Sequence, residues 1–69
     1  MEKIKIILNG QERTLSAGKS ISGLVEELEL DVKKIAIEKN YEIIMPEDFA
    51  RNILCDADRI EIVHFIGGG

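Results

Sequence analysis

The chain has 69 residues, 45% of them hydrophobic and 32% charged, which is enough for one small domain and too short for two. A formal net charge of -4 would repel a phosphate backbone and so argues against general nucleic-acid binding. The single cysteine excludes an internal disulfide, and no stretch approaches the roughly 20 apolar residues of a membrane span. We therefore expect a cytoplasmic domain with neither nucleic acid nor membrane as a partner.

The first predicted element is a β-hairpin. Apolar and polar residues alternate over 2–8 and again over 11–16, the period of strands with one buried face. Asn9 and Gly10 separate the two runs, and both residue types tolerate the positive φ angles of a type I′ turn.

A helix is predicted next. Ser20 can cap it, and apolar residues from Ile21 to Leu28 recur at the i, i+3, i+4 and i+7 positions of one helical face. We expect the helix to end near Leu30. Gly23 weakens it by up to about 1 kcal/mol relative to alanine, and we expect this glycine to let the sheet approach closely.

Two short strands are predicted at Ile35–Lys39 and Glu42–Met45, and Pro46 ends the second because it cannot donate to a strand ladder. Residues 47–51 are predicted to form one helical turn that places Phe49 in the core. A turn then precedes a final strand that ends at residue 65.

The predicted order β-β-α-β-β-β favours an α+β fold in two layers, a mixed sheet of about five strands with one main helix on one face. Two hairpin halves joined through a helix place the first and last strands side by side and parallel at the centre, which is the β-grasp topology. The helix is expected to pack on Ile4, Ile6, Leu15, Ile35, Ile37, Ile60 and Ile62.

No catalytic or metal site is predicted. Gly18-Lys19-Ser20 resembles the end of a phosphate-binding loop, but Arg13 stands where that motif needs its first glycine. One cysteine and one histidine, Cys55 and His64, cannot form a zinc cluster within one chain. A stand-alone enzyme is therefore not expected.

Cys55, Asp56 and Asp58 lie together just before the last predicted strand. Cys55 is interpreted as a small, partly buried apolar residue, with a persulfide-accepting or cross-linking thiol as the alternative. Asp56 and Asp58 are expected to shape the turn before the last strand. Nothing in the spacing supports a catalytic triad of Ser20, His64 and Asp58.

The last three residues, Gly67, Gly68 and Gly69, have no folding explanation. Ordering glycine costs the most conformational entropy, so we expect a domain over residues 1–66 and a flexible tail over 67–69. A frayed terminus is one interpretation. The other is a tail without side chains that enters a narrow active site of a partner protein.

Several segments together carry a family resemblance. They are Leu8-Asn9-Gly10, Ala36-Ile37-Glu38, Pro46-Glu47-Asp48-Phe49 and the stretch from Asp56 to Gly69. In order and total length they resemble the ThiS family of thiamine-pathway sulfur carriers over essentially the whole chain. Two turns depart from the family pattern: Asp56-Ala57-Asp58 replaces Asp-Gly-Asp, and Asn40-Tyr41 replaces Asn-Gly.

The resemblance implies a ubiquitin-like β-grasp fold and a carrier that is not itself an enzyme and binds no cofactor. An adenylyltransferase related to ubiquitin-activating enzymes would use Mg-ATP to adenylate Gly69. A persulfide sulfur, supplied through a cysteine desulfurase, would then leave a thiocarboxylate there. The tail of Gly67, Gly68 and Gly69 would enter the partner active sites, and thiazole synthase would receive the sulfur.

The expected docking patch lies on the sheet face away from the helix. If Ile60 and Ile62 point inward, the alternation directs Val63 and Phe65 outward, and Ile7 with them on the adjacent strand. The predicted patch therefore consists of Ile7, Val63, Phe65 and Ile66. Phe65 folding over an edge of the core is the alternative.

Two other functions stay open at this point. The small subunit of molybdopterin synthase shares the fold, the terminal glycine pair and the sulfur chemistry. A ubiquitin-like interaction module that is never activated, or one conjugated to lysines, is the candidate from a different class.

Overall fold

Six regular elements and two short 3-10 helices occur in residues 2–65, the part of the chain that the structure, a computed structural model, describes. The regular elements are β1 (Lys3–Leu8), β2 (Gln11–Ser16), α1 (Ile21–Glu27), β3 (Ile35–Lys39), β4 (Glu42–Ile44) and β5 (Arg59–His64). The 3-10 helices are Val32–Lys34 and Pro46–Arg51. The predicted order of elements is confirmed.

The strands form one mixed sheet in the order β2-β1-β5-β3-β4. β1 and β5 pair in parallel at the centre, and the other neighbouring strands pair antiparallel. This is the predicted β-grasp arrangement, with the last strand between the first strand and the β3–β4 hairpin. The chain therefore leaves the sheet from a central strand that pairs with β1 at Arg59 and Ile60 and with β3 from Ile60 to His64.

Local backbone chemistry sets both hairpin turns. Asn9 and Gly10 have φ angles of 48° and 82°, which confirms the type I′ geometry expected between β1 and β2. Asn40 and Tyr41 have φ angles of 51° and 72° between β3 and β4. The second turn therefore adopts positive φ at both central positions although tyrosine replaces the usual glycine.

Helix α1 begins as predicted and ends earlier. The Ser20 hydroxyl accepts a hydrogen bond from the Gly23 amide at 3.0 Å, which confirms the cap. The helix stops at Glu27 rather than near Leu30, because Glu29 adopts a left-handed φ of 57° and the Leu30 amide turns back to the Val25 carbonyl at 3.1 Å.

Gly23 lies closest to the side chain of Lys19 and not to the sheet. A Cβ atom at this position would lie 3.2 Å from the Cγ atom of Lys19. The expectation that Gly23 admits the sheet is therefore wrong, because the close neighbour is the Lys19 side chain in the loop before the helix.

The core lies between α1 and one face of the sheet. Phe49, on the second 3-10 helix, is 3% exposed and closes one side, as predicted. All seven sheet positions expected under the helix belong to this core or pack against it. The buried apolar residues are Ile6, Leu15, Ile21, Leu24, Val25, Ile35, Ile37, Phe49, Leu54 and Ile60.

Glu27 joins the end of α1 to β2 and to the preceding loop. Its carboxylate accepts hydrogen bonds from Lys19 and, at 2.7 Å, from Arg13. These two bonds, that from Lys19 first, lower the pKa of Glu27 from 4.5 to about 2. The folded state therefore holds this proton less tightly than the unfolded chain does.

Because this pKa is depressed on folding, the stabilisation that Glu27 provides is complete above about pH 4.5 and is lost as the pH falls towards 2. We expect Glu27→Gln to lower the free energy of unfolding at pH 7 and to make little difference near pH 2. Urea unfolding of both proteins at the two pH values measures this. A difference that stayed constant with pH would contradict it.

Candidate functional site

The sheet face away from α1 carries the residues nearest the C-terminal segment. Ile60 is fully buried and Ile62 packs against the core, whereas Val63 is 57% exposed. Phe65, just beyond β5, is 50% exposed, and its amide donates to the Lys34 carbonyl at 2.7 Å. Val63 therefore faces outward as expected, and Phe65 is held at the end of the sheet with half of its surface open.

The strand register separates Ile7 from the rest of the predicted patch. Ile7 lies opposite Arg59 in the parallel pair of β1 and β5, and it is only partly exposed. Val63 is four residues farther along β5, about 13 Å at 3.3 Å per residue. The expectation that Ile7 lies beside Val63 and Phe65 is therefore wrong. Ile7 is level with Arg59, and Glu61 lies between Arg59 and Val63 on the open face of β5.

β3 and β4 instead supply the apolar neighbours of Val63. Ala36 pairs directly with Val63, and the β3–β4 register, continued by one residue, places Met45 opposite Ala36. Ile43 lies one row away, opposite Glu38. We call the four apolar residues on this half of the open face the apolar stripe: Ala36, Ile43, Met45 and Val63.

Two carboxylates lie within the same half of the face. Glu38 and Glu61 are direct partners across the antiparallel β3–β5 pair. Glu61 has the Arg59 guanidinium 3.6 Å away, whereas Glu38 makes no ion pair within residues 2–65. Like charges directly opposite on neighbouring strands are destabilising, so the free domain carries a small cost here.

The Asn9 side chain fixes the second half of β5. Its Oδ1 accepts from the Ile62 amide at 2.7 Å, and its Nδ2 donates to the Ile62 carbonyl at 3.3 Å. The amide group of Asn9 thus replaces the peptide group that a longer β1 would have supplied. Sequence reasoning explained Asn9 by the hairpin turn alone and missed this second role.

The turn before β5 is held by its two carboxylates, as predicted. Asp58 is 9% exposed and accepts from the Cys55 amide at 2.8 Å and from the Asn40 side chain at 3.0 Å. Asp56 accepts from the Lys5 amide at 2.8 Å. Between them Ala57 has a φ of 74°, so alanine here takes the left-handed conformation that glycine adopts more easily.

Cys55 is exposed, and its interpretation as a partly buried residue is wrong. Leu54 is 2% exposed and takes the core position, which leaves the next side chain in solvent. Cys55 precedes β5 and Phe65 follows it, so the six-residue strand separates them by about 20 Å. The thiol therefore lies at the end of β5 opposite to the end from which the chain leaves.

The structure does not bring Ser20, His64 and Asp58 together. Ser20 caps α1, whereas Asp58 lies in the turn before β5 and His64 at the other end of that strand. Within residues 2–65 no group of three or more His, Cys, Asp or Glu residues is placed to hold a metal ion. In the same residues no helix is long and apolar enough to cross a membrane.

The remaining predicted site residues are Ile66, Gly67, Gly68 and Gly69, which lie outside the described residues.

A family match and two relatives of known family point to the same protein family. The match to the ThiS family covers residues 6–69. The sulfur carrier protein ThiS of Bacillus subtilis is 46% identical over 50 residues, 72% of this chain and 76% of that protein. The Escherichia coli ThiS is 30% identical over 66 residues, 96% of this chain and all of that protein.

The chain also matches part of some larger proteins. The thiazole synthase of Paramagnetospirillum magneticum is 42% identical over 66 residues, 96% of this chain. The chain spans a fifth of the length of this enzyme and of the thiazole synthase of Magnetococcus marinus.

A crystal structure supports the same assignment. The thiamine biosynthesis protein (ThiS) of Geobacter metallireducens superposes with a TM-score of 0.82 at 25% identity, covering 96% of this chain and all of that one. Sequence family, relatives of similar length and β-grasp topology agree, and the chain belongs to the ThiS family.

Proposed function

We propose that this chain is a sulfur carrier of thiamine biosynthesis and that its terminal glycine bears the sulfur. The observation that carries the proposal is the family match, which runs from residue 6 through Gly69 and so includes the glycine tail. Relatives of similar length are named sulfur carriers, and the chain is proposed as a co-substrate rather than a catalyst.

The first step activates the carboxylate. In a chain that ends at Gly69, a carboxylate oxygen attacks the α-phosphorus of ATP and pyrophosphate leaves, which forms an acyl-adenylate. Adenylation is needed because an oxide ion is a poor leaving group and AMP is a good one. An adenylyltransferase related to ubiquitin-activating enzymes supplies Mg-ATP and the catalytic groups.

The second step introduces sulfur. The terminal sulfur of a partner persulfide attacks the acyl carbon of Gly69 and AMP leaves, which gives an acyl disulfide. A thiol then attacks the partner's sulfur atom, so that a disulfide forms and the Gly69 thiocarboxylate is released. A cysteine desulfurase is the proposed source of the persulfide, and thiazole synthase is the proposed acceptor of the sulfur.

The position of Cys55 favours a sulfur donor on another protein. Its thiol lies about 20 Å from Phe65 along β5, and four further residues reach at most about 14 Å. A direct transfer from Cys55 to Gly69 within one chain would therefore need part of β5 to unpair.

Mass spectrometry tests the proposal. Incubation with the adenylyltransferase, Mg-ATP and a persulfide source should raise the mass by about 16 Da, because sulfur replaces one oxygen. Oxidation of methionine or cysteine adds nearly the same mass, so the shift must be located. The peptide Ile60–Gly69, released after Arg59 by trypsin, contains neither residue type and separates the two causes.

Each outcome is decisive. A shift within Ile60–Gly69 that requires ATP supports sulfur carriage. A larger species, in which the chain is joined to a lysine of another protein, would show conjugation in place of sulfur carriage. If the mass of the peptide did not change in the presence of active partner enzymes, the proposal would be overturned. The chain would then be a ubiquitin-like interaction module that is not activated.

A further inference from the structure

We propose that the apolar stripe, together with Glu38 and Glu61, is the surface through which this carrier binds thiazole synthase. The inference rests on the proposed function and adds the surface and the chemistry of its partner. The partner face it requires is apolar at its centre and presents at least one lysine or arginine.

The first support is exposure on one face. Ile43, Met45 and Val63 are 70%, 54% and 57% exposed, and the strand register places them together on the open face of the sheet. β4 has three residues, ends at Ile44 and is followed closely by Pro46, so the edge of the sheet beside the stripe is short and unsuited to extension by another strand. A side-chain contact, rather than strand addition, is therefore the expected mode of docking.

The second support is position relative to the tail. Val63, Ala36 and Met45 form the row of the open face nearest to the point where β5 ends. Four residues follow Phe65, and fully extended they reach about 14 Å. A partner that receives Gly69 must therefore cover this end of the sheet, whereas Ile7 lies four residues back along β5.

The third support is electrostatic. Glu38 and Glu61 face each other directly across β3 and β5, an arrangement that destabilises the free domain. Arg59 lies 3.6 Å from Glu61, and Glu38 has no ionic partner within residues 2–65. A basic side chain placed between the two carboxylates would relieve the repulsion, so charge complementarity specifies a basic partner group.

Thiazole synthase is the occupant that the comparisons favour. Two thiazole synthases contain a segment similar to 96% of this chain, so carrier and synthase occur there within one polypeptide. A separate carrier must achieve the same association through a surface. The stripe, with Phe65 beside it at the end of the sheet, is an apolar part of the described open face near the point where β5 ends.

Binding measurements on charge-matched variants test the proposal. Calorimetry would measure the dissociation constant of the sulfur-free chain for its cognate thiazole synthase. Ile43→Asp and Met45→Asp should each weaken binding at least tenfold. Met45 is the N-cap of a 3-10 helix, where aspartate is favoured, so this variant should keep its fold.

Tyr41→Asp is the matched control. Tyr41 is 76% exposed and lies near Arg59 at the far end of the sheet, and its substitution makes the same change in charge. It should alter the dissociation constant less than twofold. Unchanged binding by both stripe variants, or equal weakening by the control, would overturn the proposal.

Glu38→Gln separates binding from stability. It should weaken synthase binding several-fold while the unfolding midpoint stays the same or rises, because the like-charge pair is removed. A loss of binding that followed a loss of stability would assign Glu38 a structural role only.

The other possible occupants give different results. If the stripe variants changed only the KM of adenylation, or only self-association in sedimentation, the synthase would not be the occupant. The binding assay uses the chain without sulfur, so it is independent of the mass shift. If the stripe variants bound normally and the chain still gained about 16 Da, only the docking surface would be rejected. Failure of the mass shift rejects the carrier function itself.

Discussion

A chain that lacks Gly68 and Gly69 is expected to fold normally and to gain no sulfur at all. The carboxylate would then belong to Gly67, two residues or about 7 Å short of the position that the adenylating site must reach. Reacting atoms have to approach to roughly 3–3.5 Å, so a deficit of this size should abolish the reaction rather than slow it.

The readout is the peptide that begins at Ile60 in a tryptic digest after incubation with ATP and a persulfide source. Thermal unfolding of the truncated chain is the control, and its midpoint should match that of the full chain because the core lies within residues 6–60. Sulfur found in the shortened peptide would remove the terminal glycines from the mechanism.

The second large effect is expected from Asp58→Ala. The change leaves the Cys55 amide and the Asn40 side chain without their acceptor and removes the carboxylate 3.7 Å from the Lys39 ammonium. Unpaired groups at a buried position cost about 3 kcal/mol together. A chain of 69 residues has a total stability of roughly 3–10 kcal/mol, so a large fraction is at stake.

Asp56→Ala is the matched control for that experiment. Asp56 lies two residues away, is exposed and accepts one hydrogen bond, from the Lys5 amide, so its loss should cost about 1 kcal/mol. Urea unfolding followed by circular dichroism suits a chain without tryptophan. Equal costs at the two positions would show that the buried Asp58 network adds nothing to the turn.

Local signals in the sequence were sufficient for most of the fold. Asn9-Gly10 specified the first hairpin, Ser20 the start of α1, and strand alternation the faces of β1 and β5. Each depends on the conformational preference of a few adjacent residues. The central parallel pairing of β1 and β5 followed from the order of elements, and the family resemblance is confirmed.

The end of α1 and the exposure of Cys55 could not be predicted locally. Glu29 adopts a left-handed conformation without the glycine that usually marks a helix C-terminus. Cys55 lies in an irregular segment in which Leu54 takes the buried position, so no repeating period applied to it.

The candidate docking surface depended on strand register, which is set by contacts between distant segments. Sequence reasoning identified Val63 as outward-facing but joined it to Ile7, because the offset of a parallel pair is not fixed by a turn. It missed Ile43 and Met45, although the β3–β4 hairpin register would have placed them on the same face. The turn chemistry of Asn40-Tyr41 was the signal that could have supplied that register.

The central position of β5 has a mechanical consequence for the proposed carrier, whose terminal residue would be held in the active site of a partner enzyme. A pull directed along β5 loads the pairing of this strand with β3, which runs from Ile60 to His64, and with β1, which includes only Arg59 and Ile60. The hydrogen bonds of the antiparallel β3–β5 pair lie perpendicular to that pull, so they resist it together instead of opening one after another. We therefore expect β5 to stay paired with β3 when the proposed tail is held in a partner's active site.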